Sequence, residues 1–269
     1  MSGHSKWHNI QHKKGAADAA RSGLFTKLAR EITMAAKLGD KNPDNNPRLR
    51  LAILTARKNS MPNDNITRAI KKGTGELAGE TYVELKFEGY GVAGVAVIVE
   101  ALTDNNNRTT ASVRAAFDKY GGNLGTPGCV AYMFSRKGII LIEKEDSIDE
   151  DALLEAALEA GADDMIVNED SFEIVTDPAV HMDVHTALVD AGYELVESDI
   201  DMVPSMEATP TSPEDIKKLA KMIDVLEDND DVNNVWHSWE MPEEEDEDSG
   251  DECKFFGTKC GRISILPPS

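Results

Sequence analysis

The residues of this chain best suited to chemistry are cations near its start. Lys6, Trp7, Lys13 and Lys14 come first, and Arg48, Arg50, Arg57, Lys58, Arg68, Lys71 and Lys72 follow. Ammonium and guanidinium groups neutralise phosphates and displace the counterions condensed on nucleic acid, and an indole such as Trp7 can stack on an unpaired base. Residues 1–73 hold 15 Lys and Arg against 5 Asp and Glu, a net of +10, whereas the rest of the 269-residue chain holds 13 against 44, a net of −31. The overall charge of −21 and the pI near 4.6 therefore conceal an end that seeks polyanions on a body that repels them. The competing reading, an ordinary solvated helical surface with Trp7 filling a core, is disfavoured by that asymmetry.

A second constellation is Thr103-Asp-Asn-Asn-Asn-Arg-Thr-Thr, between an apolar run and a helical pattern. Free backbone amides at a helix start, with Arg108 and Thr109 beside them, could hold a phosphate. The simpler reading, favoured for a lone loop, makes Asn105 or Asn106 a helix cap. His181 and His185 stand four apart on a predicted helix, a spacing that serves a metal when a third ligand joins. No HExxH is present and acidic residues surround the pair, so exposed histidines are expected. His4, His8 and His12 repeat the spacing in the lead segment. Cys129, Cys253 and Cys260 form neither a CxxC pair nor an even disulfide framework, so reduced thiols and no structural zinc are expected. The glycines of Gly89-Tyr-Gly and Gly121-Gly-Asn-Leu-Gly read as turns and not as a dinucleotide fingerprint. With no GxSxG, Walker loop or Cys/His pair, the residues supply no catalytic apparatus, no cofactor site and no small-molecule substrate.

Three short helices must position the basic residues. Leu24, Phe25, Leu28, Ile32 and Ala35 or Ala36 form one apolar stripe, with Lys27, Arg30 and Lys37 opposite it. Asn46 and Pro47 supply the cap and first position of a helix running to about Lys58. Asp64 to Lys72 makes the third helix, with Gly73 as a left-handed cap. From about Thr81 the period becomes that of strands. Tyr82–Glu88 and Val95–Leu102, a helix over Asn105–Tyr120 and a strand at Val130–Phe134 give ββαβ. Then βαββαβ follows from Gly138 to Ile200, the split pattern of a ferredoxin-like unit, and a helix over Ser212–Leu226 with a strand over Val232–His237 supplies the αβ missing from the first series.

The fold class expected is therefore α+β in three domains: a three-helix basic domain and two ferredoxin-like α/β domains, the third inserted in the second. The divisions are 1–80 for the helical domain, 81–136 with 205–240 for the second, 137–204 for the inserted third, and 241–269 for a tail. Residues 243–252 carry eight Asp or Glu in ten, a block that self-repels and reads as solvated tail. No run of about 18 apolar residues occurs, so a cytoplasmic protein without a membrane partner is expected.

Met1-Ser-Gly-His-Ser-Lys-Trp, Lys58-Asn-Ser-Met-Pro-Asn-Asp-Asn-Ile with Arg68-Ala-Ile-Lys-Lys-Gly, Phe87-Glu-Gly-Tyr-Gly, Glu100-Ala-Leu-Thr-Asp-Asn-Asn-Asn-Arg-Thr and Lys119-Tyr-Gly-Gly-Asn-Leu-Gly closely resemble the YebC/PmpR family, from residue 1 to about 240. The resemblance implies the same three-domain architecture and a cytoplasmic, non-enzymatic role. Members are described as transcriptional regulators that bind DNA, and relatives include a mitochondrial translational activator of cytochrome c oxidase; other members point to the ribosome and relief of stalled synthesis. Val92-Ala93 stands where the family has Pro-Gly, Asn106 where an Arg is common and Cys129 where Ser is usual. The expected function is a nucleic-acid-binding regulator of gene expression of the DNA-binding type. The alternatives are a ribosome-associated factor on RNA, a module docking on an acidic protein and, least favoured, a metal-dependent enzyme using His181 and His185.

Overall fold

The structure is a computed structural model that describes residues 19–79, 81–145 and 147–240. Lys6, Trp7, Lys13, Lys14 and the acidic tail lie outside the described residues.

Helix α1 (Ala19–Leu38) turns Leu28, Ile32, Ala35 and Ala36 into the helical core, while Leu24 at the stripe's edge is exposed. Helix α2 (Pro47–Lys58) starts as its sequence dictates. The Asn46 side chain accepts the Leu49 N–H at 3.1 Å and Pro47 occupies the first helical position. The same Asn46 donates to the carbonyls of Ala35 and Asp40, both at 2.8 Å, so the cap also fixes the end of α1. Helix α3 (Asn63–Gly73) buries Ile66 and Ala69. Gly73 is not the left-handed cap; Gly75, at φ +77°, adopts that conformation. A Cβ on Gly73 would lie 2.3 Å from the Thr33 carbonyl oxygen, so glycine there lets α3 close onto α1.

Beyond the helices come β1 (Val83–Tyr90), β2 (Ala96–Thr103), α4 (Asn106–Lys119) and the two-residue β3 (Asn123–Leu124). The chain then leaves to build β4 (Phe134–Glu143), α5 (Glu150–Glu159), β5 (Asp164–Val167), β6 (Ser171–Thr176), α6 (His181–Asp190) and β7 (Leu195–Pro204). It returns as α7 (Pro213–Glu227) and β8 (Val232–His237). Two antiparallel sheets result, ordered β3-β1-β2-β8 and β5-β6-β4-β7. The α+β architecture with one unit threaded through another is thus the one expected. The inserted sheet has the split arrangement, with β4 and β6 adjacent inside it.

Strand β2 is apolar on both faces because both are covered. Val97 and Val99 pack with Val113 and Phe117 of α4 and Leu219, Met222 and Leu226 of α7, while Ala96 and Ile98 meet Val130, Phe134 and Trp236. The inserted unit has its own core, with Ile140, Ile142, Phe172 and Ile174 against Leu153, Val184 and Leu188.

One expected strand is misplaced. Val130–Phe134 is not a strand of the first sheet; β3 takes that place, pairing Leu124 with Gly89 and Asn123 with Tyr90. The Glu88 carboxylate accepts the N–H groups of Val130 and Ala131 at 3.1 and 2.9 Å, so these amides serve a buried side chain. Burial works to raise the Glu88 pKa, but the bonds from these N–H groups and from Gly128 prevail and hold it below the usual carboxylate value.

Candidate nucleic-acid interface

The cations singled out in the helical unit fall into two sets that the sequence does not separate. The first is engaged within the protein, at the seam with the sheets or, for Arg50, in a local turn. Arg48 is held by Glu31 at 2.7 Å and by Glu84 of β1 at 2.6 Å. Partial burial opposes its charge, but these carboxylates more than offset it and keep its pKa raised. Arg50 closes the turn before α2, donating to the carbonyls of Pro43 and Asp44 at 3.2 and 2.7 Å. Lys27 donates to the Glu227 carbonyl, and Arg30 pairs with Asp231 at 3.1 Å while its guanidinium lies 5.4 Å from the Tyr82 ring centroid. Arg48 and Arg50 were expected to meet phosphate from an open surface. The structure instead engages both within the protein, because the acids and carbonyls that claim them come from distant positions or from a tight turn.

The second set looks outward. Arg57 and Lys58 occupy the last turn of α2, and Arg68, Lys71 and Lys72 lie at spacings of three and four on α3, after the turn at 59–62. All five are exposed. On α3 the fold explains the exposure: Ile66 and Ala69 face α1, which leaves Arg68, Lys71 and Lys72 on the opposite side of that helix. Among the described residues, the side chains of Arg57, Arg68, Lys71 and Lys72 make no hydrogen bond or ion pair, in a chain with 49 acidic residues.

At the start of α4 the cap reading holds. Asn105 accepts the Arg108 N–H at 3.1 Å. The Arg108 guanidinium, expected as a secondary phosphate contact, donates to Asp231 at 2.8 and 3.0 Å and to Asp104 at 2.8 Å. These bonds, Asp231 first, hold its pKa above the ordinary value. Thr109 also donates to Asp231 at 2.8 Å. Burial would raise the Asp231 pKa, but Arg108, Thr109 and Arg30 draw it below the usual aspartate value. Asp231 was missed in the sequence, where Asn229-Asp-Asp looks like an ordinary turn.

The histidines are not the exposed pair expected. His181 is fully buried, its Nε2 3.0 Å from Ser198 Oγ and its Nδ1 3.3 Å from Thr176 Oγ1. His185 is half-buried with Nδ1 2.8 Å from the same Ser198. Gly138 leaves room for the buried ring, since a Cβ there would lie 2.3 Å from its Nδ1. Burial and then the nearby Lys58 charge push the His185 pKa down. Cys129, half-buried, has its thiol pKa pushed up by burial and by Glu88. Among the described residues no three His, Cys, Asp or Glu side chains come together in a way that could hold a metal ion, and no helix is long and apolar enough to cross a membrane.

Family models place these features in a known group. The model described as the TACO1/YebC protein N-terminal domain matches residues 5–76, and that of the TACO1/YebC second and third domain matches residues 82–239. The chain belongs to the TACO1/YebC family. Among TACO1/YebC relatives, a Clostridium novyi protein named "probable transcriptional regulatory protein" is 55% identical over 244 residues, covering 91% of this chain and 99% of the relative. A Neisseria meningitidis serogroup B protein described in the same words is 53% identical over 231 residues, covering 86% and 94%. The crystal structure of a conserved hypothetical protein from Aquifex aeolicus superposes with a TM-score of 0.76 at 46% identity, covering 84% of this chain and 93% of that one.

Proposed function

We propose that this chain is a non-enzymatic, nucleic-acid-binding regulator of gene expression that docks on phosphate backbone through Arg57, Lys58, Arg68, Lys71 and Lys72, with duplex DNA as the leading target. The observation that carries the reading is the outward row on α2 and α3. Among the described residues Arg57, Arg68, Lys71 and Lys72 make no ion pair, whereas the cations of the seam are neutralised. Such a surface gains free energy from releasing counterions, and it positions a partner without reading its bases. The names of the relatives support regulation as the task. Lys6, Lys13, Lys14 and Trp7 would extend the contact from the lead segment.

A second reading, in which the polyanion is ribosomal RNA, draws on the net −31 of residues 74–269. Such a body repels long bare duplex beyond a small footprint and tolerates a partner whose surface is part protein. Crosslinking in cells followed by sequencing of the attached nucleic acid tests both. Promoter fragments support the first reading, ribosomal RNA the second, and recovery of no nucleic acid above an uncrosslinked control sinks the proposal.

A further inference from the structure

We infer that Asp231 is the positioning residue that fixes the angle between the helical unit and the first sheet, and thereby the outlook of the basic face; the second half of that statement rests on the function proposed above. Several contacts cross this seam, among them Lys27 to the Glu227 carbonyl, Asn233 Nδ2 to Glu31 at 3.3 Å and the Arg48–Glu84 pair. The Arg48–Glu84 pair joins side chains 41% and 48% exposed, and exposed ion pairs contribute little because water screens them and long side chains lose entropy in making them. Arg30 and Asp231 differ, with side chains 13% and 6% exposed. Removing one partner of a buried pair leaves the other charge unsatisfied, so such a pair resists opening far more than an exposed one.

The geometry concentrates three elements on one carboxylate. Arg30 reaches Asp231 Oδ1 from α1; Arg108 and Thr109 reach it from the first turn of α4; and the Asp231 N–H is donated to Asn229 Oδ1 within its own turn between α7 and β8. Arg30 also donates to the Asp230 carbonyl. The two arginine limbs are unequal. Both arginines line a polar pocket of about 320 Å³ with Ser112, Asn229, Asp230 and Asp231, but Arg108 is about half-exposed and has Asp104 as a second partner. Arg30 is much the less exposed of the two, and it alone belongs to the helical unit. Losing Arg108 would leave the joint between α1 and the turn in place. Losing Arg30 would cut that joint while the Asp231–Arg108–Thr109 group stayed whole inside the sheet unit.

That asymmetry gives the test. Spin labels are placed on the full chain at exposed positions, Thr67→Cys on α3 and Asp118→Cys on α4, in a background with Cys129, Cys253 and Cys260 changed to Ser. Pulsed dipolar distances are then measured without nucleic acid. The parent should give one narrow distribution. Arg30→Ala and Asp231→Asn should broaden or shift it, and Arg108→Ala should not. Because Arg30→Ala leaves the sheet unit's own bonds intact, a changed distance in that variant with unaltered circular dichroism reports the joint and not unfolding. An unchanged distribution in Arg30→Ala overturns the assignment, as does an equal change in Arg108→Ala. Binding of a DNA duplex by the same variants is read separately. A loosened joint with undiminished affinity removes the link to the basic face, whereas loss of binding on neutralising Arg68, Lys71 and Lys72 is independent of the joint.

Discussion

Neutralising Arg68, Lys71 and Lys72 together to Ala should change how binding depends on salt more than it changes stability. The three side chains are exposed and make no ion pair among the described residues, so their loss breaks no bond there. On duplex DNA each neutralised phosphate contributes about −0.9 to the slope of log affinity against log salt, so five contacts from the outward row give about −4.5, a fall of about 500-fold between 50 and 200 mM. Removing three contacts should flatten the slope by about 2.7 units, which is about 40-fold less salt sensitivity over the same range. The lead segment can add contacts to both proteins, but it leaves this difference intact. On single strands the corresponding flattening is about 2.1 units. The assay is fluorescence anisotropy of a labelled 20-mer duplex titrated with the full chain at four salt concentrations, with urea denaturation of each variant alongside. Arg48→Ala is the control. Its charge is already shared by Glu31 and Glu84, so it should lower stability slightly and leave the slope within about one unit. If the triple variant keeps the parental slope, or if Arg48→Ala flattens it equally, the division between seam and outward cations is wrong.

Three further outcomes concern the scaffold. Ala93 sits at φ +57°, a conformation that costs a side-chain-bearing residue about 1–2 kcal/mol, so Ala93→Gly should raise the urea midpoint by the equivalent of about 1 kcal/mol; no gain would show that the turn is unstrained. Gly73→Ala puts a methyl 2.3 Å from the Thr33 carbonyl and should cost about 1–3 kcal/mol by prising α3 from α1, with unchanged thermal unfolding as the contrary result. The His185 pKa is depressed, so the fold favours its neutral form. Its contribution is complete above the unfolded-state value of about 6.5 and is lost as pH falls toward the lower folded value. His185→Gln should therefore show a shallower fall in thermal midpoint between pH 7 and pH 5 than the parent; parallel curves would remove His185 from that response.

The order of the helices and of the long strands, the cap at Asn46, the helix after Asn105 and the αβ return over residues 213–237 were legible in the sequence. Each depends on neighbours within a few residues, where periodicity, a capping side chain or proline acts directly. The uneven charge between residues 1–73 and the remainder was equally plain, and it pointed to a polyanionic partner. Only tertiary structure decided which cations stay available. Arg48 and Arg68 are alike in a string of letters, yet Glu84, which pairs with Arg48 across 36 positions, and Asp231, which holds Arg30 and Arg108 across 201 and 123, reach them only after the sheets form. The same holds for His181 of α6, whose burial depends on Gly138 of β4 and Ser198 of β7, and for Val130, whose N–H goes to the Glu88 side chain and not to a strand's backbone carbonyl. Local sequence sets where a helix begins and which face it buries; which charges are cancelled is a property of long-range neighbours, since the attraction depends on distance in space and on shielding from water.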